Sequence, residues 1–473
     1  MKIAMIASEA APFVKTGGLG DVLQALPTEL AHSKGTEVSL FLPYYKSIKY
    51  DSAVTVEALG SFNINLTWRQ QYVGLFRLLR KDGPTVYFID NEYYFCRDGI
   101  YGFYDDGERF AFYAKAVLSA IIWLNLQPDI LHCHDWQTAL VPIYLDAEFR
   151  NRLPLTKTVF TIHNVEYQGK MGQEFFNEVL GLDDHWRGVC SYDGCINFMK
   201  AAVLKSDLVT TVSETYATEL RYPYFAHGLS GILAAKGAAL KGITNGIDTK
   251  VFDPATDPAL KKNYSAASFA NKKLCKRALQ RELELAPTDA PILSMVTRLV
   301  SHKGIDILCY ILRRLLERDL ELVIVGTGDF KYEHALLSVA NEYPGKFSMN
   351  LCFDPGLASR VYAGSDMYLM PSKSEPCGLS QLIAMHYGAV PIVNATGGLK
   401  DTVSPYNAET GEGRGYTFQS YNGDDFLGAV DRALGDYSGA PEAWKRLAIS
   451  DMKLDFSWAV PAQKYRELYL SLI

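Results

Sequence analysis

The chain has 473 residues, of which 48% are hydrophobic and 21% charged, so its composition is that of an ordinary globular protein. The length exceeds what one hydrophobic core usually supports, which predicts two domains. The net charge of −6 argues against a nucleic acid or an anionic membrane as partner. Eight scattered cysteines favour reduced thiols, and no apolar run is long enough to cross a bilayer. Because the first residues already form a strand pattern, we expect no signal peptide and a cytoplasmic protein.

The first half of the chain alternates apolar runs with helical patterns. Strands are predicted at residues 2–8, 37–43, 54–62, 71–79, 85–90, 130–134, 158–163 and 208–213. Helices are predicted over 22–30 and over 109–124. This alternation is typical of a parallel, doubly wound sheet, whose ligands bind at the carboxyl ends of the strands.

The second half repeats the pattern after a connector at residues 252–258, which is followed by a basic helical arm at 261–285. Strands are predicted at residues 291–298, 320–328, 367–371 and 390–393. The segment Thr-Gly-Gly-Leu-Lys-Asp at 396–401 echoes Thr-Gly-Gly-Leu-Gly-Asp at 16–21. The prediction is an α/β protein with two similar doubly wound domains that face a central cleft.

A glycine-rich turn with a lysine follows the first strand, at Lys15-Thr16-Gly17-Gly18. Glycines let the backbone approach a ligand, and the first N–H groups of the following helix attract an anion. Lys15 adds a positive charge at the same place. A tight turn with a surface lysine is the plain alternative.

Arg298 and Lys303 lie five residues apart on one loop, between a strand and a helix. A guanidinium and an ammonium placed there converge readily on a diphosphate, whereas the alternative is a basic surface loop. Gly326-Thr327-Gly328 after the next strand is a weaker phosphate signal.

Glu375 lies in a turn ahead of an apolar helix, within Ser374-Glu375-Pro376-Cys377-Gly378. One interpretation is a carboxylate that caps the helix. The other is a carboxylate that accepts hydrogen bonds from sugar hydroxyls while the helix N-terminus binds phosphate.

Polar residues also follow two strands of the first half. His163 comes after a strand and is surrounded by polar residues with no obvious structural role, which favours a function. His132, Cys133 and His134 suggest a metal, but alternate strand residues face opposite sides and no second ligand cluster has suitable spacing. We therefore expect no metal, and Asp135 and Trp136 at this strand end suit a sugar subsite better.

Taken together, these motifs resemble the bacterial glycogen synthase and plant starch synthase family of ADP-glucose-dependent α-1,4-glucan glucosyltransferases, which have the GT-B fold. The resemblance covers the whole chain in order. It is carried by Lys15-Thr16-Gly17-Gly18-Leu19, His134-Asp135-Trp136, Phe160–Asn164, Tyr167-Gln168-Gly169, Asn245–Asp248, Arg298-Leu299, Lys303-Gly304, Glu375–Leu379, Thr396–Leu399 and Phe456-Ser457-Trp458. It implies an N-terminal, glucan-side domain over 1–241, a C-terminal, nucleotide-sugar domain over 242–455, and a final helix over 456–473 that crosses back to the first domain.

The resemblance also implies roles for individual residues. The catalytic set is Lys15, His163, Arg298, Lys303 and Glu375. The donor-binding set is Gly17, Gly18, Asp21, Asn245, Gly328, Phe353, Cys377, Gly378, Leu379 and Thr396. The acceptor-binding set is Tyr93, Asp135 and Trp136.

The expected reaction moves glucose from ADP-glucose to the non-reducing 4-OH of glycogen or a malto-oligosaccharide, with retention of configuration. Cations take the place of a metal at the diphosphate, so we expect neither metal nor cofactor. No second carboxylate is well placed in the motifs, which favours front-side attack with the leaving phosphate as base.

The sequence departs from the family pattern at a few positions, and these departures leave the choice of nucleotide open. They are Gly20, Glu166, Lys373-Ser374 and Phe353. The alternatives are a related GT-B glucosyltransferase that uses UDP-glucose or another acceptor, and a non-catalytic glucan-binding scaffold. A Rossmann dehydrogenase is disfavoured because Gly17-Gly18-Leu19-Gly20 lacks the required glycine spacing.

Overall fold

Two mainly parallel sheets, one in each half of the chain, organise the structure, a computed structural model that describes residues 1–473. Unit 1 comprises Met1–Asn245 together with Trp458–Ile473, and unit 2 comprises Gly246–Ser457. None of the helices combines the length and apolar composition needed to span a membrane.

The strands, in chain order, are β1 (Lys2–Ile6), β2 (Glu37–Pro43), β3 (Glu57–Leu66), β4 (Arg69–Leu78), β5 (Thr85–Asp90), β6 (Ile130–His134), β7 (Lys157–Ile162), β8 (Lys170–Met171), β9 (Ser191–Tyr192), β10 (Cys195–Asn197), β11 (Leu208–Thr211), β12 (Leu240–Gly242), β13 (Ile292–Val296), β14 (Glu321–Val325), β15 (Phe347–Asn350), β16 (Met367–Met370), β17 (Val390–Asn394) and β18 (Tyr416–Phe418).

The α-helices are α1 (Gly18–His32), α2 (Lys46–Lys49), α3 (Glu92–Phe95), α4 (Asp106–Trp123), α5 (Val141–Tyr144), α6 (Arg187–Cys190), α7 (Phe198–Lys205), α8 (Glu214–Glu219), α9 (Ser230–Ala235), α10 (Lys272–Glu282), α11 (Ile305–Leu316), α12 (Phe330–Glu342), α13 (Pro355–Gly364), α14 (Ser380–His386), α15 (Gly397–Thr402), α16 (Gly423–Gly439), α17 (Pro441–Met452) and α18 (Ala459–Leu470).

The sheet of unit 1 has nine strands in the order β12-β11-β7-β6-β1-β2-β5-β4-β3. The seven strands from β12 to β5 run parallel, and all of them except the short β12 were predicted from their apolar runs. The strand order reverses between β1 and β6, so loops at the carboxyl ends of these two strands flank a topological switch point.

The prediction of an all-parallel sheet is wrong at one edge of unit 1. β3 and β4 form an antiparallel hairpin, and β4 pairs antiparallel with β5. β3 alternates mostly exposed with partly buried residues. A strand with one solvent-exposed face is typical of the antiparallel edge of a sheet, whereas a strand inside a parallel sheet is buried on both faces. A second small sheet, β8-β10-β9, was not predicted because its strands have only two or three residues.

The sheet of unit 2 has six parallel strands in the order β15-β14-β13-β16-β17-β18. Numbered from its own first strand, this is the common doubly wound order 3-2-1-4-5-6. The switch point lies between β13 and β16. The prediction of two doubly wound sheets is therefore confirmed.

The last helix, α18, packs into the core of unit 1. Tyr465 and Tyr469 are buried there, and Trp458 and Ala462 belong to the same apolar cluster. The helix thus adds to the hydrophobic core of the N-terminal part of the chain, although it is the last element of the sequence.

Candidate active site

The loop after β1 presents Lys15 and the glycines that begin α1. Lys15 is exposed, and its Nζ donates a hydrogen bond to Asp21 Oδ1 at 2.7 Å. Gly17 and Gly18 are exposed at the N-terminus of α1, where no side chain caps the helix. The first N–H groups of a 15-residue helix therefore lie beside a lysine ammonium, which is a favourable place for a phosphate.

The carboxylate of Glu9 accepts hydrogen bonds from the loop that carries Lys15. The backbone N–H and the hydroxyl of Thr16 both donate to its carboxylate, at 2.5 Å and 3.1 Å. The Tyr101 hydroxyl donates to Glu9 Oε1 at 3.1 Å. Burial raises the pKa of Glu9, and the hydrogen bonds from Thr16 and Tyr101 oppose that rise. The conformation of the Lys15 loop is therefore fixed by a buried carboxyl group.

His163 follows β7 and is held at two points, by the last residue of β6 and by the first residue after it. Its backbone N–H donates to Asp135 Oδ1 at 2.8 Å, and its Nε2 lies 3.0 Å from Nδ1 of His134. The surrounding protein desolvates the imidazole and lowers the pKa of His163 to about 3. The ring is therefore neutral at physiological pH, although part of its surface is exposed.

Asp135 itself has an unusual backbone conformation, with φ 58° and ψ 179°. Non-glycine residues in this region carry strain of about 1–3 kcal/mol, and such strain is concentrated at functional sites. Burial raises the pKa of Asp135 to about 7, while the N–H groups of His163 and Asn164 favour the carboxylate.

The other two predicted acceptor residues have different surroundings. The Trp136 ring packs edge-on against Phe110, with 5.2 Å between ring centroids, and remains half-buried. Tyr93 is 62% exposed on α3 and lines a cavity of about 450 Å³ together with Gln71, Tyr72, Asp90, Asn91 and Glu92. Tyr93 thus lies on the short helix after β5, away from the Asp135 loop in sequence but at the same edge of the sheet.

In unit 2, the loop after β13 carries both predicted diphosphate ligands. Arg298 is exposed, and Lys303 is mostly covered, with 18% of its side chain accessible. Lys303 Nζ donates to Glu375 Oε2 at 2.7 Å. The structure therefore joins two predicted residues that are 72 positions apart in sequence.

Glu375 does not cap a helix. Its carboxylate accepts hydrogen bonds from Lys303 Nζ and from the Ser372 hydroxyl, the latter at 3.0 Å. α14 begins only at Ser380, and its N-cap residue is Leu379, with no side-chain cap. The capping interpretation is therefore wrong, and the buried carboxylate is oriented by a lysine and a serine instead.

Two glycines allow the loops of unit 2 to pack backbone against backbone. A Cβ atom at Gly304 would lie 2.1 Å from the carbonyl oxygen of Pro371, and one at Gly398 would lie 2.2 Å from that of Cys377. The N–H of Gly398 donates to the carbonyl of Glu375 at 3.0 Å. Three loops that follow β13, β16 and β17 are thus interlocked around the Lys303–Glu375 pair.

The remaining predicted donor residues fall into two groups. Cys377, Gly378, Leu379 and Thr396 belong to the interlocked loops, and Gly328 pairs with Leu299 across an isolated bridge next to Arg298. Phe353 is 84% exposed on the loop after β15, and Asn245 is buried at the end of unit 1 with an Oδ1 atom that has no hydrogen-bond partner. The structure thus groups Cys377, Gly378, Leu379 and Thr396 in the interlocked loops of unit 2, whereas Phe353 lies on another loop of that unit and Asn245 belongs to unit 1.

Three residues that support the candidate site were not predicted from the sequence, namely Glu9 in unit 1 and Ser372 and Asn394 in unit 2. Glu9 and Ser372 orient predicted residues, and Asn394 Nδ2 donates to the Ser372 carbonyl at 2.9 Å. Glu9 directly follows the first apolar strand, which is a signal like the one that identified Asp135. No three or more His, Cys, Asp or Glu side chains are grouped in a way that suits a metal ion.

The comparisons with known proteins agree with this arrangement. The family model described as starch synthase catalytic domain matches residues 2–235, and that described as glycosyl transferases group 1 matches residues 276–450. Glycogen synthase from Clostridium novyi is 45% identical over all of this chain and 99% of its own length. Glycogen synthase from Geobacillus thermodenitrificans is 43% identical over all of this chain and 98% of its length.

Solved structures give the same result. The catalytic domain of starch synthase IV from Arabidopsis thaliana, bound to ADP and acarbose, superposes with a TM-score of 0.92 at 33% identity, covering 99% of both chains. Sucrose-phosphate synthase from Thermosynechococcus elongatus, at 18% identity and a TM-score of 0.62 over 100% of this chain and 98% of its own, shares the fold. The predicted GT-B fold is confirmed, and the chain belongs to the glycogen synthase and starch synthase family of glycosyltransferases.

Proposed function

We propose that this glucosyltransferase transfers glucose from ADP-glucose to the non-reducing 4-OH of an α-1,4-glucan such as glycogen or a malto-oligosaccharide. The observation that carries the proposal is the hydrogen-bonded Lys303–Glu375 pair at the carboxyl ends of β13 and β16, in which Lys303 shares its loop with the exposed Arg298. A cation pair for a diphosphate next to a carboxylate for sugar hydroxyls suits a nucleotide sugar.

The donor-side roles are proposed for each unit by itself. In unit 2, Arg298 and Lys303 meet the negative charge that develops on the departing diphosphate. In unit 1, Lys15 with Gly17 and Gly18 forms a phosphate-binding loop at the N-terminus of α1. One preorganised contact of this kind is worth about 3–4 kcal/mol in the transition state. Glu375 holds the glucose hydroxyls, and Phe353 offers an exposed ring to the adenine.

On the acceptor side, we propose that His163 lies beside the anomeric carbon and that Asp135, Trp136 and Tyr93 bind the glucan. Retention of configuration then proceeds by front-side attack, with the leaving phosphate as base. The Asp135 carboxylate is already bound by the N–H of His163, which disfavours it as a nucleophile.

The alternatives are UDP-glucose as donor, a different acceptor, and glucan binding without catalysis. The ADP in the starch synthase IV structure supports an adenine nucleotide. No disulfide links any of the eight cysteines, which is typical of a reducing compartment, and we place the enzyme in the cytoplasm.

The test is to incubate the purified protein with a glycogen primer and either ADP-glucose or UDP-glucose at equal concentration. We expect incorporation of glucose into the polymer with ADP-glucose to exceed that with UDP-glucose. A preference for UDP-glucose would overturn the donor assignment, and incorporation from neither donor would favour a binding scaffold.

A further inference from the structure

Three histidine rings lie side by side in unit 1, and only one of them belongs to the predicted site. His132 and His134 are two residues apart on β6, so their side chains share one face of the sheet. Their ring centroids are 4.0 Å apart. His134 Nδ1 in turn lies 3.0 Å from Nε2 of His163. The rings therefore form a row from the core of unit 1 to the loop after β7.

The inner end of the row is held by hydroxyl groups at both nitrogens of His132. Nδ1 is hydrogen-bonded to the Tyr469 hydroxyl at 2.7 Å, and Nε2 to the Thr161 hydroxyl at 2.6 Å. Thr161 is further bonded to the Thr210 hydroxyl at 2.5 Å. Tyr469 is fully buried on α18, 337 residues after His132 in sequence. With both nitrogens bound, the His132 ring has one orientation.

All three imidazoles are neutral at physiological pH. Burial lowers the pKa of His132 to about 3 and that of His134 well below its usual range. The pKa of His163 is likewise lowered to about 3. A neutral imidazole has one donor and one acceptor nitrogen, so each hydrogen bond in the row requires a particular tautomer.

We propose that Tyr469 and His132 are positioning residues for His163. The Tyr469 hydroxyl fixes the ring of His132. The ring of His132, tilted by 39° against that of His134, limits the movement of His134, and Nδ1 of His134 fixes the Nε2 end of His163. The last helix of the chain thereby orients a side chain of the active site. The inference rests on the proposed function in one respect, namely that His163 acts beside the transferred glucose.

The experiment compares Tyr469→Phe with Tyr144→Phe. Both changes remove one hydroxyl from a fully buried tyrosine of unit 1, but the Tyr144 hydroxyl donates to the backbone carbonyl of Leu180 at 3.2 Å and touches no histidine. The readouts are kcat and KM for ADP-glucose and primer, together with the imidazole 15N chemical shifts in protein labelled at histidine.

For Tyr469→Phe we expect kcat to fall roughly 10-fold, since a small misplacement of a reacting group is costly, with both KM values nearly unchanged. We also expect the 15N signals of His132 and His163 to shift. Tyr144→Phe should retain kcat and leave those signals in place.

Wild-type kcat in Tyr469→Phe would overturn the proposal, as would a loss of kcat without any shift of the His163 signals. An equal loss in Tyr144→Phe would show that any missing buried hydroxyl has this effect, and would also overturn it. If the wild-type protein transfers no glucose, the proposed function fails, whereas the His163 signals still show whether Tyr469 orients that ring.

Discussion

At the scale of single residues, Glu375 shows why the sequence could indicate a site but not its construction. The motif identified the carboxylate, yet its partners Lys303 and Ser372 come from a distant loop and from the preceding turn. A residue pattern predicts which side chains follow a strand. Which of the loops contact one another depends on the order of the strands in the sheet, and the pattern does not give that order. The same limit explains why Tyr469 was not associated with His132.

Replacing Glu375 with Gln is expected to cut kcat roughly 10²-fold or more, because the variant loses the charge that pairs with Lys303 and that is proposed to face the sugar. The melting temperature should change little, since the amide retains most of the volume and one acceptor. Steady-state kinetics and thermal unfolding measure the two effects.

The control for Glu375→Gln is Glu342→Gln, which also breaks an ion pair of unit 2, with Arg313, but at the exposed surface of α12. Such surface pairs are worth about 0–1 kcal/mol, so its activity should match that of the wild type. If Glu375→Gln extends glucan with wild-type kcat, the carboxylate has only a structural role.

Asp451 gives a second prediction at this scale, on stability and pH. Its carboxylate is buried in α17, neither oxygen has a hydrogen-bond partner, and burial raises its pKa to about 8 despite the opposing charge of Arg414. The folded state therefore holds this proton more tightly than the unfolded state, whose pKa is about 3.9. The contribution of Asp451 to the free energy of unfolding is fully present below about pH 4 and is lost as the pH rises towards 8.

Asp451→Asn removes the titrating group and with it this dependence of the free energy of unfolding on pH. We expect the melting temperature of the variant to exceed that of the wild type by a larger margin at pH 8.5 than at pH 5. Each kcal/mol gained in the free energy of unfolding corresponds to a rise of about 2–4 °C. Asp319→Asn, at an exposed position of the same unit, should show no such trend. A difference for Asp451→Asn that is the same at both pH values would contradict the assignment.

At the scale of elements, the sequence predicted long apolar strands well and short or half-exposed ones poorly. The bounds of β2, β5 and β6 agree with the predicted residues 37–43, 85–90 and 130–134. The β3–β4 hairpin was predicted as strands but with the wrong direction, because residue pattern indicates burial and not pairing. The strands β8 to β10 are too short to show any period.

Close packing of loops yields a prediction at Gly398, the second residue of α15. Since a Cβ atom there would meet the carbonyl oxygen of Cys377 at 2.2 Å, Gly398→Ala must displace the turn that carries Glu375. A displacement of 1 Å at a reacting group can reduce turnover about 10²-fold, and we expect a loss of that order.

Gly435→Ala serves as the control for Gly398→Ala. It lies in α16 with open space around the added methyl group, and it should keep full activity and gain up to about 1 kcal/mol in stability. Wild-type kcat in Gly398→Ala would mean that the interlocked loops do not set the geometry of Glu375.

At the scale of the whole molecule, each of the two units carries cations at the carboxyl ends of its own strands, namely Lys15 in unit 1 and Arg298 and Lys303 in unit 2. If these cations neutralise the diphosphate, dialysis against EDTA should leave the rate of transfer nearly intact. The assay is repeated after adding magnesium or manganese. Activity that disappears with EDTA and returns with either ion would rule out the metal-independent mechanism.

The central claim is that glucose passes from ADP-glucose to the non-reducing end of an α-1,4-glucan with its configuration retained. It is tested most directly with ADP-glucose labelled with 13C at C1 of glucose, a malto-oligosaccharide primer, and NMR of the product. We predict that the label appears in a new α-1,4 linkage. An exo-acting α-1,4-glucanase, which acts from the non-reducing end, should then release the labelled sugar first. Label found in a β-linkage, in free glucose alone, or only in unreacted ADP-glucose would contradict the account.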